Sequence, residues 1–183
     1  MIGWKGIIYM KLISQWNTLL YVTILLFLCT GCAWSASDFS SVASDGILPF
    51  IAIGELSLLQ DNNHGKSEAI QGAKALFATG IATEALKQTV HEKRPTTDST
   101  DSFPSAHTAE AFAMATTLAD YQPQYTFIAY TGAAIIGWSR VEEREHRWRD
   151  VLAGALLGHY IAKQFTGKHF GVTPEGIGYH TSW

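Results

Sequence analysis

Residues 68–90, EAIQGAKALFATGIATEALKQTV, run on into His91-Glu92-Lys93-Arg94-Pro95. The stretch has helical length and shows neither the strict apolar–polar alternation nor the β-branched richness of a strand. It reads as a helix, and Pro95 stops whatever continues past it. Working outward, apolar runs of helical length recur at 47–59, 106–119, 125–138 and 150–165. Polar punctuation separates them: Asp61-Asn62-Asn63-His64-Gly65, a Thr, Asp and Ser loop leading to Pro104-Ser105, and Pro123. Helices joined by short connections pack as antiparallel neighbours. An all-α fold is therefore expected, a helical bundle of about five core helices behind an N-terminal hydrophobic segment. The glycine-rich tail, 167–183, has no strong pattern and is expected to be irregular.

The 183 residues suit one domain of ordinary size, and no internal repeat or second domain is visible. Apolar residues make up 47% and charged residues 16%, against a usual charged share of about 25%, which excludes a disordered tail. A net charge of -3 gives no general attraction to nucleic-acid backbones, so no nucleic-acid partner is expected, and phosphate binding would need a local cationic cluster.

Residues 1–36 differ from the rest. Lys5 and Lys11 precede an uncharged run, 19–29, and small residues follow: Thr30, Gly31, Ala33, Ser35, Ala36. That is the pattern of an export signal, with cleavage after Ala33 or Ser35. Acylation at Cys32, or retention as a membrane anchor, are the other readings, and all three agree on export. Both cysteines, Cys29 and Cys32, lie in this segment, which leaves the mature domain without a disulfide framework or a cysteine metal site. The organisation expected is 1–36 export signal or anchor, 37–166 helical domain, and 167–183 tail. The connections 61–66 and 120–125 hold a single Lys between them, so no positive-inside pattern marks a six-span bundle. A periplasmic domain, soluble or attached through its N-terminal segment, is expected, with an integral membrane bundle as the second choice.

Three short segments carry the chemistry. They are Lys87 with Arg94-Pro95 seven residues on, then Pro104-Ser105-Ala106-His107, then Ser139-Arg140 with His146 and Asp150. Each falls at a helix end, where distant positions can meet. Hydrolysing a phosphomonoester or diphosphate without a metal needs a nucleophile, an acid for the leaving oxygen, and positive charge for the phosphoryl oxygens. Histidine suits the first two roles, because its ordinary pKa allows both charge states near neutrality. His146 and Asp150 are four apart, on one face if the helix has begun. A carboxylate on one ring nitrogen would fix the tautomer and free the other to attack phosphorus. His107 begins a helix, whose first N–H groups attract anions. Lys87 and Arg94 are two helical turns apart, and with Arg140 they offer a cationic cradle. Taken singly, the pair 146/150 reads as a surface His with a capping Asp, Ser105 as an N-cap, and each cation as a solvated charge.

Together the three segments resemble the type 2 phosphatidic acid phosphatase superfamily, which also includes bacterial acid phosphatases and vanadium haloperoxidases. The first and third match in full, the second has Ala106 where the family most often has Gly, and the resemblance covers roughly residues 45–166. It implies His146 as nucleophile, Asp150 as its orienting carboxylate and His107 as proton donor. It also implies Lys87, Arg94, Ser105, Ala106 and Arg140 as phosphate ligands, with no metal and no cofactor. A phosphorylated small molecule, a lipid phosphate or a polyprenyl diphosphate near a membrane is the implied substrate. A vanadium-dependent haloperoxidase and a non-catalytic phosphate-binding protein are the competing readings. The mixed run Glu142, Glu143, Arg144, Glu145, Arg147 and Arg149 reads as a solvated loop or rim. His64, His91, His159, His169 and His180 show no metal-ligand spacing and read as structural, and Trp138 and Trp148 as packing. On the metal-independent scheme, EDTA is expected to leave phosphate release unchanged and vanadate to inhibit it. Loss of release in EDTA, restored by a divalent ion, would overturn the scheme.

Overall fold

Small side chains decide the layout. The segment that follows Ser105 is rich in alanine and threonine, so neighbours can approach it closely on nearly every side. In the computed structural model, which describes residues 36–61, 64–166, 168–173 and 176–181, it becomes the central helix. Six α-helices are described: α1 (Ala36–Asp45), α2 (Ile47–Leu59), α3 (Gly65–Val90), α4 (Ala106–Tyr121), α5 (Thr126–Glu142) and α6 (Trp148–Phe165). A 3-10 turn, Pro123–Tyr125, links α4 to α5. Helix α4 buries Ala109, Ala111, Ala113, Met114, Ala115 and Leu118 together with Thr108, Thr116 and Thr117. The buried hydroxyls do not go unpaired. Thr116 and Thr117 donate to the carbonyls of Phe112 and Ala113 one turn back, at 2.7 and 3.0 Å.

Around α4, Ile47, Leu58, Met114, Leu118, Ala133 and Ile136 form the apolar core. Helix α6 lies closest. A Cβ at Gly154 would come within 2.5 Å of the Ser105 carbonyl oxygen, and one at Gly158 would overlap the carbonyl of Ala109. Glycine is required at both places by proximity rather than by backbone angle. At the far end of the bundle, Asp120 accepts from Lys163 Nζ and Thr166 Oγ1, both at 2.6 Å, which ties the ends of α4 and α6 together.

The helical runs read from sequence are all present, with ends that differ by a few residues. Helix α1 was not expected. Its sequence, ASDFSSVASD, buries Ser40 and Ser44 rather than an apolar stripe, so no periodic signal marks it. The compact unit holding the helices begins at Ala36, and the stretch expected to be an export signal or anchor lies outside the described residues. The tail is not irregular. Lys168–Thr173 (β1) and Gly176–Thr181 (β2) pair antiparallel, from Lys168 opposite Thr181 to Thr173 opposite Gly176. Val172, Thr173, Ile177, Tyr179 and Thr181 favour strand, a preference the neighbouring glycines hide.

Large apolar side chains also face outward, among them Leu48, Ile53 and Leu56 on α2, Phe77 and Ile81 on α3, and Leu152, Leu156 and Tyr160 on α6. No single helix among the described residues is long and apolar enough to cross a membrane; 38–45 and 47–59 reach that test only jointly, across a 43° bend. The α4–α6 approach gives a sign test. Alanine in place of glycine in an unconstrained helix interior stabilises by about 1 kcal/mol. Gly158→Ala is instead expected to destabilise by about 2 kcal/mol or more through overpacking, read from the urea midpoint.

Candidate active site

Three chain reversals bring the motif residues to one end of the bundle. Lys87 occupies the last turn of α3, which ends because His91 adopts a left-handed conformation (φ 50°) with its N–H on the Lys87 carbonyl at 3.2 Å. Arg94 thus stands on the loop beyond the helix, not two turns further along it as the spacing suggested. The loop folds back on itself through Arg94 N–H to Ser99 O and Ser102 N–H to Glu92 O, each 2.9 Å. It then passes a cis Phe103–Pro104 bond and enters α4, where Ser105 N–H donates to the Asp150 carbonyl at 3.0 Å. Arg140 sits in the last turn of α5, and its carbonyl accepts from the N–H groups of Glu145 and His146, both at 3.1 Å. Helix α6 begins only at Trp148, so His146 precedes it and Asp150 lies in its first turn.

The two imidazoles share one electrostatic environment. Burial is the largest cause holding His107 below its ordinary pKa, and the charges of Arg140, Lys87 and Arg94 push the same way. His146, only 3% exposed, is pushed down to about 4 by burial and by the same three cations. Three charges from separate elements thus act on both rings. His146 Nδ1 lies 2.7 Å from the Ser102 carbonyl oxygen, to which it donates as Nδ1–H, leaving Nε2 as the nitrogen with the free lone pair in the neutral ring.

Asp150 is not the direct partner of that ring. Its carboxylate is fully buried, where Oδ2 accepts from Ser102 Oγ at 2.7 Å and from Arg147 N–H at 2.9 Å. The carboxylate therefore orients Ser102, whose carbonyl in turn orients the imidazole. The physical reason is position: as the third helical residue of α6, Asp150 closes a capping box with Arg147. Ser105 is buried at the start of α4 and makes no capping bond of its own; its Oγ accepts from Thr108 Oγ1 at 3.0 Å. Ala106 is helical, and the non-glycine residues with positive φ among the described ones are His91 and Arg144. The alanine therefore sits without strain. Arg140 Nε is buried without a hydrogen-bond partner among the described residues, a donor that an anion would satisfy.

Residues 70–171 match the PAP2 superfamily. The chain belongs to that superfamily. It is 31% identical over 126 residues to a lipid A 1-phosphatase of Porphyromonas gingivalis, a match covering 64% of this chain and 28% of that protein. It is 36% identical over 84 residues to probable lipid phosphate phosphatase 4 of Arabidopsis thaliana, covering 38% of this chain and 27% of that one. The matched part is thus little more than a quarter of either relative's length. Among solved structures, the crystal structure of Aquifex aeolicus LpxE has the same fold, with a TM-score of 0.55 at 23% identity over 76% of this chain and 91% of that one.

The PAP2 site contains carboxylates that sequence reasoning missed. Asp101 receives Arg94 through two bonds, Nε to Oδ1 at 2.7 Å and NH2 to Oδ2 at 2.8 Å, with Lys87 Nζ 3.7 Å away. Hydrogen bonds from Arg94 and Ser99 hold its carboxyl well below the usual carboxylate range. Glu145 takes another Arg94 nitrogen, while Glu143 at 2.7 Å and Ser44 take Arg140. Two members of the charged run thus pair with the cradle rather than with solvent. Fork-shaped guanidinium pairing requires acidic partners nearby, and the Asp98-Ser99-Thr100-Asp101-Ser102 loop supplies them. His159, by contrast, bonds Thr116 Oγ1 at 3.0 Å and Tyr130 OH at 3.1 Å inside the bundle, a structural role. No group of three or more His, Cys, Asp or Glu among the described residues could hold a metal ion.

A buried histidine whose native pKa is depressed makes stability depend on pH in a defined direction. Below about 6.5 the unfolded chain takes up a proton that native His146 refuses until about 4, so stability is lost as pH falls through that window. The loss from this group alone is roughly 3 kcal/mol, from 1.36 kcal/mol per pH unit. Urea midpoints between pH 7 and pH 4 are expected to fall in the native sequence and to fall less in His146→Asn.

Proposed function

We propose that this PAP2 domain is a metal-independent phosphatase of lipid phosphates that works through a phosphohistidine at His146. The observation that carries the reading is that buried His146 and half-buried His107 both lie within the field of Lys87, Arg94 and Arg140, with Arg140 Nε lacking a partner among the described residues. His146 is neutral at working pH, as a nitrogen nucleophile must be. Its Nε2 lone pair forms a bond to phosphorus as the ester P–O bond breaks, and the departing oxygen takes its electron pair together with a proton from His107. Water then attacks phosphorus, its proton passes to His107, the N–P bond breaks, and orthophosphate leaves. His107 carries the required proton once substrate is bound. The cations that depress its pKa in the free site are then offset by the phosphate dianion, and the ring regains affinity for a proton. The cradle and the first N–H groups of α4 hold the phosphoryl oxygens where negative charge develops.

Lipid as substrate is supported by the lipid-phosphate names of the curated relatives and by the apolar side chains exposed on α2, α3 and α6. Such a surface suits contact with a bilayer. The run at 19–29 behind Lys5 and Lys11 supports export, so the reading includes a periplasmic domain held at the membrane.

A phosphate-release panel tests this. Purified protein is expected to free orthophosphate from lipid phosphates in detergent micelles faster than from soluble monoesters. His146→Ala is expected to lower release by at least a thousandfold, with the circular dichroism spectrum retained. Full activity in that variant would refute the assignment of the nucleophile.

A further inference from the structure

Gly80 is unlike the other glycines inside the helices. A Cβ at Gly54, Gly72 or Gly132 would come within 2.5, 2.7 or 2.8 Å of a neighbouring side chain, and Gly154 and Gly158 abut the α4 backbone. At Gly80 the nearest atom is Glu110 Oε1, at 3.9 Å. Packing within the chain leaves room for a side chain there, and glycine in a helix interior is destabilising relative to alanine. The open space is part of a groove of about 610 Å³ along α3, with Glu110 of α4 at its edge. Leu76, Phe77 and Ile81 form its apolar wall, and Glu84, Gln88 and Glu110 its polar positions.

The groove adjoins the catalytic end. Gly80 and Lys87 are seven residues apart on α3, close to two full turns, so they share a face about 10 Å apart along the axis. Glu110 lies three residues after His107 on α4, one turn deeper, and its carboxyl feels the charge of Lys87. Glu84 is engaged by the Gln88 amide at 3.0 Å. Glu110 has no hydrogen bond among the described residues, and burial raises its pKa. A half-buried carboxylate with no donor among the described residues, beside a groove floor that a methyl group could fill, leaves both an acceptor and room open to a ligand.

We propose that this groove receives the leaving-group side of the substrate, its apolar chain running past Phe77 and Ile81 over Gly80 while a hydroxyl next to the phosphoester donates to Glu110. This rests on the phosphatase reading and narrows it. A lipid monophosphate bearing a free hydroxyl fits. A prenyl diphosphate does not, because its leaving group is itself a phosphate and would meet the Glu110 and Glu84 carboxylates.

The test compares lysophosphatidic acid, whose hydroxyl adjoins the phosphoester, with phosphatidic acid of the same acyl chain, which lacks it, and with farnesyl diphosphate, all in detergent micelles. The native protein is expected to prefer lysophosphatidic acid by about tenfold in kcat/KM, the scale of one hydrogen bond to a carboxylate. Glu110→Leu is expected to erase that preference. Gly80→Leu, which fills the floor, is expected to raise KM for long-chain more than for short-chain lysophosphatidic acid, with thermal unfolding reporting that both variants fold. Release that depends on His146, with a preference and a chain-length dependence unmoved by either variant, overturns the groove and leaves the phosphatase standing. No release from any of the three lipids sinks the phosphatase reading. Binding of lysophosphatidic acid to His146→Ala, weakened by Glu110→Leu or not, then decides the groove separately.

Discussion

The bond from Ser105 N–H to the carbonyl of Asp150 joins the start of α4 to the first turn of α6, and most of the site depends on it. It can form only because Gly154 and Gly158 let the two helices approach until backbone meets backbone. Once the helix starts are side by side, His107 on one and the residues just ahead of the other are within reach of a common anion. The loop 92–105 then has one course available. It crosses the junction, delivers Arg94 and Asp101 from one side, and offers the Ser102 carbonyl to His146. A packing constraint between small residues thereby sets the orientation of the His146 ring.

Electrostatics makes the same arrangement chemically useful and costly to fold. Lys87, Arg94 and Arg140 act on one buried and one half-buried ring, and like charge with desolvation favours neutral imidazole. The cations pair with Asp101, Glu143 and Glu145. These pairs are only partly buried, so each adds little stability. Their effect is to restrict long, flexible cations, so that less ordering would remain for any anion they bind.

Much of this was legible in the sequence, and the limits follow from physics. Helices α2 to α6 show as apolar runs between polar breaks, and the eight motif residues stand out by type and spacing. Helix α1 was hidden because it buries serines, and the tail hairpin because glycine masks strand preference. The seven-residue spacing from Lys87 to Arg94 looked like two turns of one helix, since nothing in a histidine announces a left-handed cap. The four-residue spacing from His146 to Asp150 looked like a direct pair, yet capping at the start of α6 claims the carboxylate first. Asp101 and Ser102 gave no motif signal. Their part comes from a loop conformation that long-range bonds impose, which a one-dimensional pattern does not encode.

Ser44 gives the site an upstream dependency. The superfamily match starts at residue 70, yet the hydroxyl that steadies Arg140 comes from α1, ahead of that start. A fragment cut to the matched region would keep every motif residue and still leave one guanidinium short of a tether.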